Sequence, residues 1–146
     1  EQKVRDRAAE LGVLGRNFFL YSPMSKTDLV GAFQAASVSL SLFIDLPEMR
    51  HNSANKFFDS LASGRAVAIN YGGWQAELIE QHRCGLCLDY DIPASARKLS
   101  QLLQNGELVA EMGRNSRRLA EDKFDRNKLA SELRAVLEAS HRPAAA

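Results

Sequence analysis

The residues best equipped for chemistry gather between His51 and Asp59, where His51, Asn52, Ser53, Asn55 and Lys56 surround the start of a predicted helix. A helix start leaves its first backbone N–H groups without carbonyl partners and carries the positive end of the helix dipole, so it favours an anion such as phosphate. Lys56 adds a point charge to such a site, and Asp59, one turn further on, can accept hydrogen bonds from a sugar diol. The plainer reading of the same residues is a cap at Ser53, a solvated lysine and a surface acid. Gly72-Gly73 lets backbone approach a ligand closely, although paired glycines also make routine turns. Tyr21 and Trp74 are of a type that stacks on a base or a sugar ring, or equally packs against a core.

Other chemistries find little support. Cys84 and Cys87 form Cys-Gly-Leu-Cys, but a zinc site needs two further ligands, and His51, His82 and His141 make no spaced pair with each other. A redox Cys-x-x-C opens a helix after a strand, whereas Cys87 falls inside Gly85-Leu86-Cys87-Leu88, which reads as a strand itself. No metal and no redox role is expected. The chain has no Gly-x-Gly-x-x-Gly, no Walker loop, no Gly-x-Ser-x-Gly elbow and no His-Glu-x-x-His.

The elements that must position these residues alternate through the first 90 positions. Helical composition over 3–11 stops at Gly12, and Asn17–Tyr21 reads as a short strand closed by Ser22-Pro23. A helix from about Thr27 precedes a strand over 38–43, whose serines suit tight packing. After an irregular stretch with Pro47, Ser53 is placed to cap a helix over 54–63 that stops at Gly64. The apolar run 66–70 suits a strand buried on both faces, and a turn at 71–73, a helix over 74–83 and a strand over 85–89 follow. The rest is helical, over about 94–104, 107–122 and 126–139, the last capped by Asp125. Strand and helix alternation implies a parallel sheet flanked by helices, with a helical C-terminal tail. In such a sheet the ligand crevice lies beyond the carboxyl ends of the strands, here after Tyr21, along 45–53 and at 70–73.

Composition sets the outer bounds. A chain of 146 residues with 45% hydrophobic content is one domain or a piece of one. The expectation is a single truncated domain over 1–142 with a frayed tail at 143–146. With 19 basic and 18 acidic side chains the net charge of +1 removes the electrostatic case for nucleic acid. Apolar runs fall short of a membrane span and the charged start is no signal peptide, so a cytoplasmic place is expected.

The segment from Asn52 to Val67, followed by Asn70 to Ile79 and Gly85-Leu86, resembles the C-terminal half of glycosyltransferase family 4. These are retaining two-domain enzymes of GT-B architecture, and the likeness is greatest to bacterial members that build lipopolysaccharide, capsule or exopolysaccharide. It extends weakly over nearly the whole chain, from Asn17–Ser22 through Asp28–Leu42 to Met112–Phe124. The resemblance implies that Asp59 takes the place of the second acid in the family's Glu-x7-Glu motif, which contacts the donor ribose. The first acid falls at His51, a departure from the family pattern. Ser53, Asn55 and Lys56 fall beside the donor diphosphate, and Tyr21 and Ser22 match the loop that meets the base.

What the resemblance implies is the donor-binding half of a nucleotide-sugar glycosyltransferase, with the fold a Rossmann-like, partial GT-B C-terminal domain. The donor is expected to be a UDP-sugar or, second, a GDP-sugar, with no cofactor and no metal required. The parent enzyme would be a hexosyl or N-acetylhexosaminyl transferase, peripheral at the inner face of the cytoplasmic membrane, and the isolated chain would be nearly inactive. Two competing readings are a nucleotide-sugar 2-epimerase fragment and a non-catalytic nucleotide-binding module. An acceptor domain and two further strands of the family pattern have no counterpart in the sequence. Accordingly the strands at 17–21 and 38–43 are expected to pair directly, or the former to be displaced, or a second copy to fill the gap through an exposed sheet edge.

Overall fold

The computed structural model describes residues 1–141, so the tail expected at 143–146 lies outside the described residues. The chain divides into two compact units, Glu1–Gly31 and the part from Ala32 onward. The first holds helix α1 (Gln2–Glu10) and the beginning of α2 (Lys26–Ala35). Between them Gly12 and Gly15 take positive φ, and the chain turns tightly enough for Val13 and Leu14 to donate to the Ala8 carbonyl. Ser25 opens α2 reciprocally with Asp28, its hydroxyl accepting from the Asp28 N–H at 3.2 Å and donating to the carboxylate at 2.7 Å.

The strand predicted over 17–21 is not formed. Its only pairing is an isolated bridge between Leu14 and Phe18, and Phe19 and Tyr21 are exposed. Extended backbone becomes a strand only where a neighbour completes the ladder, and no strand among the described residues does so here. Direct pairing of this segment with 38–43 is therefore corrected.

The second unit carries a three-stranded parallel sheet in the order β1-β2-β3, formed by Val38–Ser41, Ala66–Ile69 and Gly85–Cys87. Helices α3 (Asn55–Ala62), α4 (Trp74–His82), α5 (Ile92–Leu103), α6 (Gly106–Lys123) and α7 (Arg126–Ser140) surround and follow it. Register pairs Ser39 with Val67 and Ser41 with Ile69, so these side chains share one face, while Leu40 and Ala68 share the other. On the first face Val67, Ile69, Phe57, Leu61, Ile79 and Leu119 make the main core. On the second, Ala66 packs with Leu102 and Met112.

The serines of β1 keep α3 close. Ser39 Oγ lies 2.6 Å from Ser60 Oγ, whose hydroxyl also reaches the Lys56 carbonyl. At the amino ends of the strands α6 is drawn onto backbone: a Cβ on Gly113 would fall 2.5 Å from the Gly64 carbonyl, and one on Gly85 would fall 1.8 Å from the Val67 carbonyl. No side chain larger than hydrogen fits either position. Asp91, Asn105 and Asp125 cap α5, α6 and α7 with their side chains.

Candidate functional site

Three loops leave the carboxyl ends of the strands, and polar side chains fasten them to one another. Asn70, just past β2, accepts from the Phe43 N–H and donates to the Phe43 carbonyl, both at 2.8 Å, so its amide stands in for a missing strand partner. Tyr90, past β3, donates to the Ile44 carbonyl at 3.4 Å. Asp89 is held by Lys98 at 2.6 Å, and its backbone N–H and carbonyl both bond the Ser95 hydroxyl. These loops bound a cleft of about 520 Å³, lined by Asp45, Arg50, Asn70, Gly72 and Tyr90 among others. That volume falls within the range of small-molecule sites.

Gly73 joins the loop after β2 to the loop after β1. Its φ is +90°, and a Cβ there would meet the Arg50 carbonyl at 2.1 Å, so the backbone at Arg50 rests on the turn that opens α4. Beside this contact Trp74 Nε1 donates to the Asn52 carbonyl at 3.1 Å. Trp74 is thus turned to the core, with Phe57 and Phe58 at 6.0 Å between ring centroids. Beneath the junction the Tyr71 hydroxyl donates to Gln75 Oε1 at 2.6 Å and lies 3.4 Å from Ser41 Oγ. Burial raises the Tyr71 pKa, and hydrogen bonds from Ser41 and Asn52 offset part of that rise.

Helix α3 starts two residues later than Ser53, with Ala54 as its N-cap and no capping side chain. The cap predicted at Ser53 is therefore corrected: Asn52 and Ala54 are extended, and it is Ala54, without a capping side chain, that precedes the first helical residue. The consequence is chemical, since no side chain occupies the N–H groups of the first turn. Ser53, Asn55, Lys56 and Asp59 are exposed around this open end, and Lys56 has no ion-pair partner among the described residues. His51 ends a short 3-10 helix, Pro47–His51, and is exposed. Asn52 is half-buried, its amide bonded to the Met49 carbonyl and its Oδ1 buried without a partner.

Of the predicted site residues Gly72 lines the cleft, Gly73 touches Arg50, and Asn52 is reached by the neighbouring Trp74, whereas His51, Ser53, Asn55 and Lys56 lie along the approach to α3 outside the cleft lining. Asp59 lies one turn along α3. Tyr21 and Ser22 belong to the first unit, where both are exposed and Tyr21 stacks on Phe19 at 6.5 Å.

Sequence reasoning passed over the loop after β3, having looked for the crevice only after Tyr21, along 45–53 and at 70–73. It also passed over Arg50, the one cation in the cleft lining. The signal for both was the position after a strand end, misjudged by two residues at β3. Cys84 and Cys87 are both free thiols, pushed up to about 11 by burial, the opposite of an activated thiolate. Among the described residues no group of three or more His, Cys, Asp or Glu is arranged to hold a metal. No helix among them is long and apolar enough to cross a membrane.

The parallel sheet with helices on both faces, the cleft at its carboxyl edge and the helical tail define the Rossmann-like C-terminal half of a GT-B fold, in partial form. Superposition gives the particular likeness: the chain aligns over 94% of its length with sucrose-phosphate synthase from Thermosynechococcus elongatus, at a TM-score of 0.80 and 16% identity. It spans 33% of that chain. No family model and no curated sequence matches it.

Proposed function

We propose that this chain is the donor-binding part of a nucleotide-sugar-dependent glycosyltransferase. The observation that carries the reading is the uncapped start of α3, held open beside the Gly72-Gly73 turn by the contact of Gly73 with Arg50. Free N–H groups, a helix dipole and Lys56 converge there, and such a set stabilises charge as it builds on a departing diphosphate. Asp59 is positioned one turn away for a ribose diol. The likeness in fold to sucrose-phosphate synthase supports this reading. In its finer form the reading is a retaining transfer from a UDP-sugar or GDP-sugar, without a metal, onto a lipopolysaccharide, capsule or exopolysaccharide. The acceptor domain and a second copy at the β1 edge, where Leu40 and Leu42 are exposed, belong to the same proposal.

Calorimetric titration with UDP, GDP and ADP tests it. One of the three is expected to bind, and Lys56→Ala and Asp59→Ala to weaken it by about tenfold each, the value of one charge-assisted contact. Failure of all three nucleotides would overturn the reading. A second reading, a nucleotide-binding module without catalysis, is favoured by His51 standing where the family has an acid. His51→Glu in the context of the parent enzyme separates the two, since added turnover supports a catalytic ancestry and unchanged inactivity supports the module.

A further inference from the structure

A second concavity lies at the opposite, amino ends of the strands. It measures about 510 Å³ and is lined by Ser37, just before β1, by Gly64 and Arg65, just before β2, and by one face of α6 from Gly106 to Arg117. The lining residues of α6 recur every three or four positions, so the groove follows the helix for about 16 Å. Its two ends differ. Toward Gly106 the walls are small or apolar, with Val109, Ala110 and Leu103. At the other end Arg65, Arg114 and Arg117 converge, and no carboxylate lines the groove.

The three guanidinium groups are not equally occupied. Arg117 donates to the Ala62 carbonyl at 2.6 Å and pairs with Glu121 at 2.7 Å, which anchors it. Arg114 has neither an ion pair nor a hydrogen bond from its side chain among the described residues. Arg65 Nε is buried and has no hydrogen-bond partner among the described residues. With Arg117 paired to Glu121, Arg65 and Arg114 leave an excess charge of about two, the charge of a phosphomonoester near neutral pH. Planar N–H forks match phosphate oxygens two at a time.

We propose that this groove binds a soluble phosphomonoester, with the phosphate between Arg65 and Arg114 and the organic part lying along Val109 and Ala110. The site is separate from the α3 start and does not depend on the nucleotide-sugar reading. The organic part lies inside the groove along Val109 and Ala110, which distinguishes this binding from attraction to an anionic surface.

The test is titration of glycerol 3-phosphate into the chain, with glycerol as the uncharged control. Saturable binding at about millimolar concentration or tighter is expected, weakening as salt is added. Arg114→Ala, on the exposed surface of α6, should weaken it about tenfold, and Arg65→Gln at least as much. Ala110→Trp should block the groove while leaving the far-ultraviolet circular dichroism unchanged. Arg118→Ala, a neighbouring cation outside the lining, and Lys56→Ala should both leave binding within about twofold. No saturation, equal effects of Arg118→Ala and Arg114→Ala, or binding confined to vesicles of phosphatidic acid would each overturn the proposal.

Discussion

At the amino ends of the strands backbone lies directly on backbone, whereas at the carboxyl ends side chains reach across from loop to loop. Gly85 sits against the Val67 carbonyl and Gly113 against the Gly64 carbonyl, with Ser116 and Asn115 of α6 bonding the Cys84 and Arg83 carbonyls. At the other edge Asn70, Tyr71, Trp74 and Tyr90 do the fastening. A backbone contact has no slack, because nothing in it can be shortened or rotated. A side-chain bridge can be exchanged while the strands stay where they are. The rigid edge therefore fixes the sheet, and the adjustable edge is where a site can change its ligand without losing the fold.

Breaking the rigid edge should cost the most. Gly85→Ala places a methyl group inside the Val67 carbonyl, and a loss of about 3 kcal/mol or more is expected from urea unfolding, enough to leave little folded protein. Gly73→Ala comes next, the one place at the carboxyl edge where backbone meets backbone, with a loss of about 2 kcal/mol and of nucleotide binding together. Asn70→Ala removes two bonds from a half-buried loop and should cost about 1–2 kcal/mol, while amide exchange speeds up at Phe43 and not at Val67. Equal acceleration at both would show that the two edges are not independent.

A further effect is set by pH. Cys84 and Cys87 are pushed up from 9.0 to about 11 by burial, so the folded chain holds these protons more tightly than the unfolded one. Stability is then unaffected below about pH 9 and falls between pH 9 and 11, as thermal unfolding across that window would record. Cys84→Ala should flatten part of the fall. A melting temperature that rises over the same range would contradict the burial argument.

Much of this was legible in the residues. The apolar run at 66–69 and the stop at Gly64 mark β2 and the end of α3 because burial on two faces and a left-handed turn each demand a narrow set of residues. Asp125 caps α7 as its type and place indicate. The candidate site was legible as a stretch, 51–59, but not in its arrangement. Ser53 has the right chemistry for a cap and does not serve as one, because the chain before α3 is held extended by Trp74 and Gly73. Asn70 reads in the sequence as the end of the strand over 66–70, and its bonds to Phe43 depend on how far apart β1 and β2 end.

What the sequence determined by itself is therefore what depends on neighbours along the chain: the period of each element, its caps and stops, and the alternation that makes the sheet parallel. Only the tertiary structure decided that 17–21 stays out of a sheet, that α3 opens without a cap, and that Arg65 faces the same groove as Arg114 and Arg117, far along the chain. The physical reason is the same in each case. A strand needs a partner, a cap needs a free approach and a charge needs its surroundings, and all three are supplied by residues far away along the chain.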